Sequence, residues 1–141
     1  MTVRSSAFNK MNMKKFPLIL VLLCSGLILA ACGSKRQATP SSTMLAFCAA
    51  IQKGDAKAAV EYLDPEMCKQ PEAKQKMQGL LAMGISQFEK NGGLKHTDIL
   101  EEKIEGDTAT LKVRYYYGNG STEDESTGMV KRDGKWYLGM D

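Results

Sequence analysis

The chain has 141 residues and a formal net charge of +3, with 43% hydrophobic and 25% charged residues. This length and this ordinary composition fit one globular domain, and they exclude whole-chain disorder and collagen-like structure. The first 31 residues contain four basic residues and no acidic residue, which leaves 15 basic against 16 acidic residues from Cys32 onward. That balance lacks the concentrated positive charge that nucleic-acid binding needs, so the sequence predicts no nucleic-acid partner.

Residues 14–31 have the pattern of a secretory signal. Two lysines precede a largely apolar run over residues 16–31, and the run ends in small residues. The alternative is a permanent transmembrane helix, but at about 1.5 Å rise per residue this run falls short of the roughly 30 Å hydrocarbon core. We therefore predict a signal peptide over residues 1–31, with Met13 as the true start of translation.

The signal ends in a short motif around a cysteine, Leu29-Ala30-Ala31-Cys32-Gly33. It resembles the lipobox of bacterial lipoproteins, in which Leu stands three positions before the cysteine and small residues occupy the next two positions. The resemblance implies cleavage between Ala31 and Cys32, a thioether-linked diacylglycerol on Cys32 and acylation of the new amino group, with palmitate as the expected chain. An ordinary signal followed by a chance cysteine is the alternative.

The lipobox also bears on localisation. Two or three acyl chains hold a protein durably on a membrane, whereas one chain does so only marginally. We expect a lipid-anchored protein of the bacterial cell envelope. Because Gly33 and not Asp follows the cysteine, the resemblance favours the periplasmic face of the outer membrane if the organism has two membranes.

The segment after the cysteine has the composition of a linker. Residues 33–42 read GSKRQATPSS and show no apolar periodicity. Ten residues span at most about 35 Å, so the following domain stays close to the bilayer. Lys35 and Arg36 either contact anionic headgroups or are simply solvated. We predict a lipidated tether over residues 32–42 and a domain over residues 43–141.

The first half of this domain has helical periodicity, and breaks divide it into three helices. Gly54 ends the first helix, Asp55 is a suitable N-cap for the second, Pro65 stops the second, and Pro71 opens the third. The three apolar faces consist of Met44, Phe47, Cys48 and Ile51, then Ala56, Ala59, Val60 and Leu63, then Met77, Leu81, Ile85 and Phe88.

From residue 94 the apolar period changes to two, which indicates strands. The predicted strands cover residues 94–104, 109–117, 121–132 and 135–140, with turns at residues 105–107, 118–120 and 133–134. Helices followed by strands favour an α+β fold, here three N-terminal helices packed on a four-stranded antiparallel meander sheet.

Turn and core residues of this domain resemble a family of small bacterial lipoproteins that carry a domain of unknown function. The resemblance rests on Phe47, Lys53-Gly54-Asp55, Ala58-Ala59, Tyr62-Leu63-Asp64-Pro65-Glu66, Glu105-Gly106-Asp107-Thr108-Ala109 and Asp133-Gly134-Lys135-Trp136. It covers nearly all of residues 43–141 and implies a cone-shaped fold of the nuclear-transport-factor-2-like (NTF2-like, cystatin-like) type. It implies no catalytic residues.

Two cysteines remain in the predicted mature domain, Cys48 and Cys68. Export to an oxidising compartment favours a disulfide between them, and such a bridge would stabilise the fold by roughly 3 kcal/mol. One buried and one free thiol is the alternative. Two cysteines and one distant histidine do not have the spacing of a metal site, so no metal is predicted.

The sequence offers little for catalysis. His96, the single histidine, lies near Asp98 at the start of the sheet, and no nucleophile elbow, phosphate loop or zinc-protease motif accompanies it. We interpret His96 as a surface residue of a strand, and the acidic residues 123–125 as a solvated strand face and not a cation site. The sequence predicts neither an enzyme nor a cofactor.

Three aromatic residues, Tyr115, Tyr117 and Trp136, are candidates for one sheet face. They form either ordinary core or a pocket for a small apolar ligand. The expected function is a lipid-anchored envelope protein that presents a non-catalytic binding or assembly domain to an unknown envelope partner. The alternatives are a carrier of a small hydrophobic ligand, held between sheet and helices, and an enzyme of the same fold.

Overall fold

Helix α1 spans Pro40–Gln52 and begins inside the predicted tether. Thr39 and Ser42 form a capping box in which each side chain accepts a hydrogen bond from the other's backbone N–H at 3.1 Å. Pro40 occupies the first helical position, where its missing N–H costs nothing. Residues 40–42 therefore belong to the domain. This computed structural model describes residues 39–139, so the predicted signal peptide, Met13, Ala31 and Cys32 lie outside the described residues.

The second predicted helix is shorter than its apolar spacing suggests. Helix α2 covers only Ala56–Ala59, and the chain then tightens into 3-10 turns over Val60–Tyr62 and Pro65–Cys68. Asp55 caps α2 as predicted, because its side chain accepts a hydrogen bond from the Ala58 N–H at 2.8 Å.

Helix α3 spans Pro71–Lys90 and packs one side on the sheet. Ile85 is buried there, and Leu81 and Phe88 are partly buried against the core, as the periodicity predicts. The helix ends at two glycines with positive φ, Gly92 and Gly93.

Four antiparallel strands follow in meander order, β1-β2-β3-β4. They are β1 Leu94–Glu105, β2 Thr108–Tyr117, β3 Thr122–Arg132 and β4 Lys135–Leu138. Alternate residues of β2 are buried and face the helices, from Ala109 to Tyr117, together with Met129, Trp136 and Leu138 of β3 and β4. We call this side of the sheet the inner face and the other side the outer face. The predicted α+β fold, with three helices on a four-stranded meander, is confirmed.

No helix within residues 39–139 has both the length and the apolar character needed to cross a bilayer.

Candidate functional site

The three predicted aromatic residues lie on the inner face and belong to the core. Tyr115, Tyr117 and Trp136 are 7%, 6% and 4% exposed. Phe88 of α3 packs on two of them, with ring centroids 5.7 Å from Tyr117 and 6.5 Å from Tyr115. The two tyrosine rings therefore fill space between α3 and the sheet, and Trp136 is buried on the same face, as the core interpretation expects, while the ligand pocket stays a prediction.

Two glutamates of β3 stand beside these tyrosines. The register pairs Tyr115 with Glu123 and Val113 with Glu125, which places both carboxylates on the inner face. The Tyr117 hydroxyl donates a hydrogen bond to Glu123 Oε2 at 2.8 Å. We call the set Tyr115, Tyr117, Glu123 and Glu125 the tyrosine–glutamate rim.

The rim tyrosines hold their protons tightly. Burial raises the pKa of Tyr117 well above its ordinary value, and the hydrogen bond to Glu123 raises it further. Burial also raises the pKa of Tyr115, and Glu125 adds to this effect. Both phenols are therefore neutral hydrogen-bond donors at neutral pH.

The rim is open to solvent on its β3 side. Strand β4 pairs only with residues 129–132 of β3, so no strand pairs with residues 122–128 on that side within residues 39–139. Glu123 and Glu125 are exposed, whereas the tyrosine rings behind them are buried. A partner could therefore reach the carboxylates without disturbing the core.

A thiol and a hydroxyl lie deeper on the same face. Cys48 of α1 is 3% exposed, and burial raises its pKa to about 11, an effect that the neighbouring Thr97 hydroxyl opposes and the Glu125 charge reinforces. Thr97 pairs with Tyr115 in the sheet and is 6% exposed. Apart from the neighbouring thiol, its hydroxyl has no hydrogen-bond partner among the described residues.

His96 lies on the outer face in a separate polar cluster. Its Nε2 is 2.7 Å from Asp98 Oδ1, and the Tyr116 hydroxyl donates to Asp98 Oδ2 at 2.9 Å. The hydrogen bond from Tyr116, and then that with His96, lowers the pKa of Asp98. The His96 side chain is exposed in a strand, as predicted, and the sheet separates it from the Cys48 thiol.

The acidic residues 123–125 are divided between the two faces. Asp124 points to the outer face and receives two hydrogen bonds from Arg114, at 2.6 and 2.8 Å. Only Asp124 therefore belongs to an outer polar surface, while Glu123 and Glu125 join the rim. All three are exposed, as a solvated strand predicts, but they do not share one face.

The predicted disulfide is absent, because Cys48 and Cys68 are both free thiols. Cys48 packs against the inner face beside Thr97, whereas Cys68 lies in a separate pocket with Glu61 and Lys74. The two side chains thus have different neighbours, and the structure corrects the predicted pairing.

Three surface cavities within residues 39–139 lie away from Tyr115, Tyr117 and Trp136, none of which lines them. A groove of about 390 Å³ lies on α1 and α2, a pocket of about 210 Å³ contains Cys68, and a shallow depression of about 420 Å³ lies on α3. The described part of the chain also contains no cluster of three or more His, Cys, Asp or Glu side chains that could hold a metal ion.

These positions indicate what the site can do. The rim offers two carboxylate acceptors in front of aromatic rings, which suits a partner with basic or hydrogen-bond-donating groups. The thiol behind it is protonated at neutral pH and shielded from solvent, which makes it a poor nucleophile.

The sequence analysis missed the inner-facing glutamates and Thr97. Glu123 and Glu125 have odd residue numbers, as the buried residues of β2 do. This pattern places the glutamates on the inner face only once the register of the β2–β3 hairpin is known.

Several solved structures share this fold at low sequence identity. A candidate NTF2-like transpeptidase from Campylobacter jejuni is 22% identical, with a TM-score of 0.61 over 73% of this chain and 100% of that chain. A SEC-C motif containing protein from Rhodopseudomonas palustris is 20% identical, with a TM-score of 0.54 over 73% of this chain and 77% of that one. An uncharacterised cystatin fold protein from Novosphingobium aromaticivorans is 16% identical, with a TM-score of 0.50 over 72% and 96%.

These similarities establish the fold and carry no activity to this chain. A comparison with curated proteins found no match. A family model described as a domain of unknown function, DUF4878, matches residues 30–139. Because that match covers most of the sequence, the chain belongs to the DUF4878 family, and its α+β domain has the NTF2-like, cystatin-like cone fold that the sequence predicts.

Proposed function

We propose that this protein is anchored by lipid at Cys32 in the bacterial cell envelope and presents a small non-catalytic binding domain. The favoured location is the periplasmic face of the outer membrane. The domain binds an envelope partner at the tyrosine–glutamate rim, through basic or hydrogen-bond-donating groups of that partner.

The placement of the reactive groups carries this proposal. Cys48 is buried on the inner face with a raised pKa, while His96 lies on the outer face with Asp98 and Tyr116. A thiol and a histidine on opposite faces of one sheet cannot act as nucleophile and base, because those groups must be within hydrogen-bond reach. The rim, in contrast, presents exposed acceptors on a rigid strand, which is the arrangement of a binding surface.

Fractionation tests the anchor. Cys32→Ser removes the thiol that takes the lipid, whereas Cys24→Ser changes a cysteine of the predicted signal peptide and is the matched control. We expect Cys32→Ser to leave the membrane fraction and to lose incorporation of labelled palmitate, and Cys24→Ser to behave as the wild type. Equal membrane retention of both variants would overturn the anchor.

Site-specific cross-linking tests the rim. A photoreactive amino acid in place of Glu123 samples the inner face, and the same group in place of Glu101 samples the outer face of β1. We expect discrete adducts in intact cells from position 123 only. Their loss in a Glu125→Gln background would support carboxylate recognition, and equal adducts from both positions would refute the rim.

A further inference from the structure

Three large aliphatic side chains remain exposed along one edge of the domain. Leu45 of α1 is 44% exposed, and Leu100 and Ile104 of β1 are 43% and 50% exposed. Strand β1 is an edge strand of the sheet. These three exposed side chains therefore lie on two elements, α1 and β1, while Leu80 and Met83 are exposed on α3.

Contacts between α1 and β1 show that the two elements that carry these side chains lie next to each other. The Ser41 hydroxyl donates to a Glu102 carboxylate oxygen, and the Ser41 N–H donates to the same oxygen at 2.9 Å. Seven residues later, Cys48 lies beside Thr97. Helix α1 therefore runs antiparallel to β1, and Leu45, one turn after Ser41, lies level with the middle of that strand.

Both strand residues lie on this edge strand, four positions apart. Ile104 pairs with Ala109 and shares the inner face with Glu102, whereas Leu100 is the extra residue of a bulge between Ile99 and Glu101. We call Leu45, Leu100 and Ile104 the aliphatic edge. It begins beside Ser41, at the end of the domain where the chain enters.

The nearby charges do not oppose a neutral, apolar contact. Glu102 already accepts hydrogen bonds from Ser41, and Glu105 is paired with Lys103 at 2.8 Å. Glu101 lies opposite Lys112 in the sheet register. Each of these carboxylates has a hydrogen-bond donor or a cation near it, which lowers the cost of bringing the edge to a neutral surface.

The short stretch of chain before the domain indicates which surface the aliphatic edge contacts. Only six residues separate Cys32 from Thr39, the cap of α1. This stretch spans at most roughly 25 Å. A domain held this close meets the bilayer at an effective concentration on the order of millimolar, so even a weak contact is populated.

We propose that the aliphatic edge docks on the lipid surface to which Cys32 is anchored, and that Leu45, Leu100 and Ile104 enter its interfacial layer. This inference rests on the proposed anchor. Docking fixes the orientation of the domain, because the chain entry and the edge then meet the bilayer together. A zwitterionic surface suffices, since no basic cluster within residues 39–139 takes part.

Tryptophan fluorescence in the full-length, membrane-reconstituted protein tests the docking. Ile104→Trp reports on the edge, and Met83→Trp is the matched control, because Met83 is 71% exposed on α3. Both variants keep Trp136, which is 4% exposed and gives a common background. The vesicles are phosphatidylcholine with or without brominated acyl chains. We expect a blue shift and bromine quenching for Ile104→Trp and neither for Met83→Trp.

Each other outcome overturns the proposal in a distinguishable way. If the protein floats with the vesicles but bromine quenches both variants equally, docking is refuted and the anchor is not. If the Ile104→Trp blue shift depends on the number of protein molecules per vesicle and bromine does not quench it, a second copy of the chain covers the edge. Protein that fails to float with the vesicles refutes the anchor and the docking together.

A second measurement does not depend on an added tryptophan. Trypsin cleaves after Lys35 and Arg36 in the tether, and a docked domain shields that segment. Leu45→Ser combined with Ile104→Ser should accelerate release of the domain from vesicles, whereas Leu80→Ser combined with Met83→Ser should not. Equal release rates from folded variants would contradict the docking.

Discussion

Asp64 and Arg132 form a two-point ion pair that joins the helical half of the domain to the sheet. Arg132 Nε lies 3.0 Å from Asp64 Oδ1, and Nη2 lies 2.8 Å from Oδ2, although the two residues are 68 positions apart in the sequence. The carboxylate also accepts from the Glu66 N–H at 3.1 Å, and the Asp64 N–H donates to the Leu138 carbonyl at 2.8 Å. Asp64 is 6% exposed, whereas the Arg132 side chain is 46% exposed, so the ion pair is shielded from water on its carboxylate side only.

Removal of this carboxylate should weaken the fold. Asp64→Ala leaves the Arg132 guanidinium and the Glu66 N–H without their acceptor, and hydrogen bonds to a buried charged group contribute about 2 kcal/mol. We expect the free energy of unfolding, measured by urea titration, to fall by about that amount. Lys103→Ala is the matched control, because it breaks an ion pair with Glu105 whose side chains are both 67% exposed, and it should leave the urea midpoint unchanged. Similar losses in both variants would contradict this role of Asp64.

The same carboxylate should make stability depend on acid pH. The hydrogen bond from Arg132 lowers the pKa of Asp64 below its ordinary value of 3.8. A carboxyl whose pKa is lowered by folding stabilises the fold above its unfolded value, and this contribution is lost as the pH falls through the folded value. Asp64→Asn should therefore be less stable than the wild type at neutral pH, and the gap should narrow as the pH falls below the ordinary carboxyl pKa of 3.8. Urea midpoints across this range check the sign, and a constant gap would refute it.

Much of the fold follows from the sequence because its causes are local. The helical spacing in α3, the change to period two at residue 94 and the Asp133-Gly134 turn each depend on residues close in sequence. The Thr39 capping box is equally local, and it could have placed the start of α1 at Pro40. The shortening of α2 could not be predicted from the local sequence. Leu63 adopts an extended conformation and forms a β-bridge with Leu138, which is distant in sequence.

The candidate site required information that one sequence does not contain. The tyrosines of β2 could be placed on a buried face by their alternation, but the glutamates of β3 join them only through the register of the β2–β3 hairpin. The disulfide prediction fails for a similar reason. An oxidising compartment favours a bridge, but tertiary packing sets the neighbours of Cys48 and Cys68.

Thiol titration distinguishes the free cysteines from the predicted bridge. Cys48 is buried with a pKa of about 11, and Cys68 is partly exposed. In unreduced protein carrying Cys32→Ser and Cys24→Ser, we expect one thiol to react with a disulfide reagent in the native state and a second only after denaturation. Cys68→Ser in this background should remove the native reaction and leave one thiol in denaturant. If denatured, unreduced protein shows no reactive thiol, Cys48 and Cys68 are bonded.

Two glycine turns pack against each other where α3 ends and the β2–β3 hairpin begins. Gly92 has a φ of 85°, and a Cβ there would lie 2.8 Å from the backbone carbonyl carbon of Gly118. The Asn119 N–H donates to the Asn91 carbonyl at 2.9 Å and holds the turns together. Gly106 is the matched control, since its φ is 63° but a Cβ there would have no neighbouring atom within 4 Å among the described residues.

The comparison of these two glycines separates backbone strain from close packing. Gly106→Ala should lower the free energy of unfolding by only about 1 kcal/mol, because alanine is strained in the left-handed conformation. Gly92→Ala adds a backbone clash that no rotamer can relieve, so its loss in the free energy of unfolding should be clearly larger. The clash should also displace Asn119 and increase hydrogen exchange at its amide, because that N–H bonds to Asn91 across the contact. Equal losses for the two variants, with unchanged exchange at Asn119, would show that the two turns do not constrain each other.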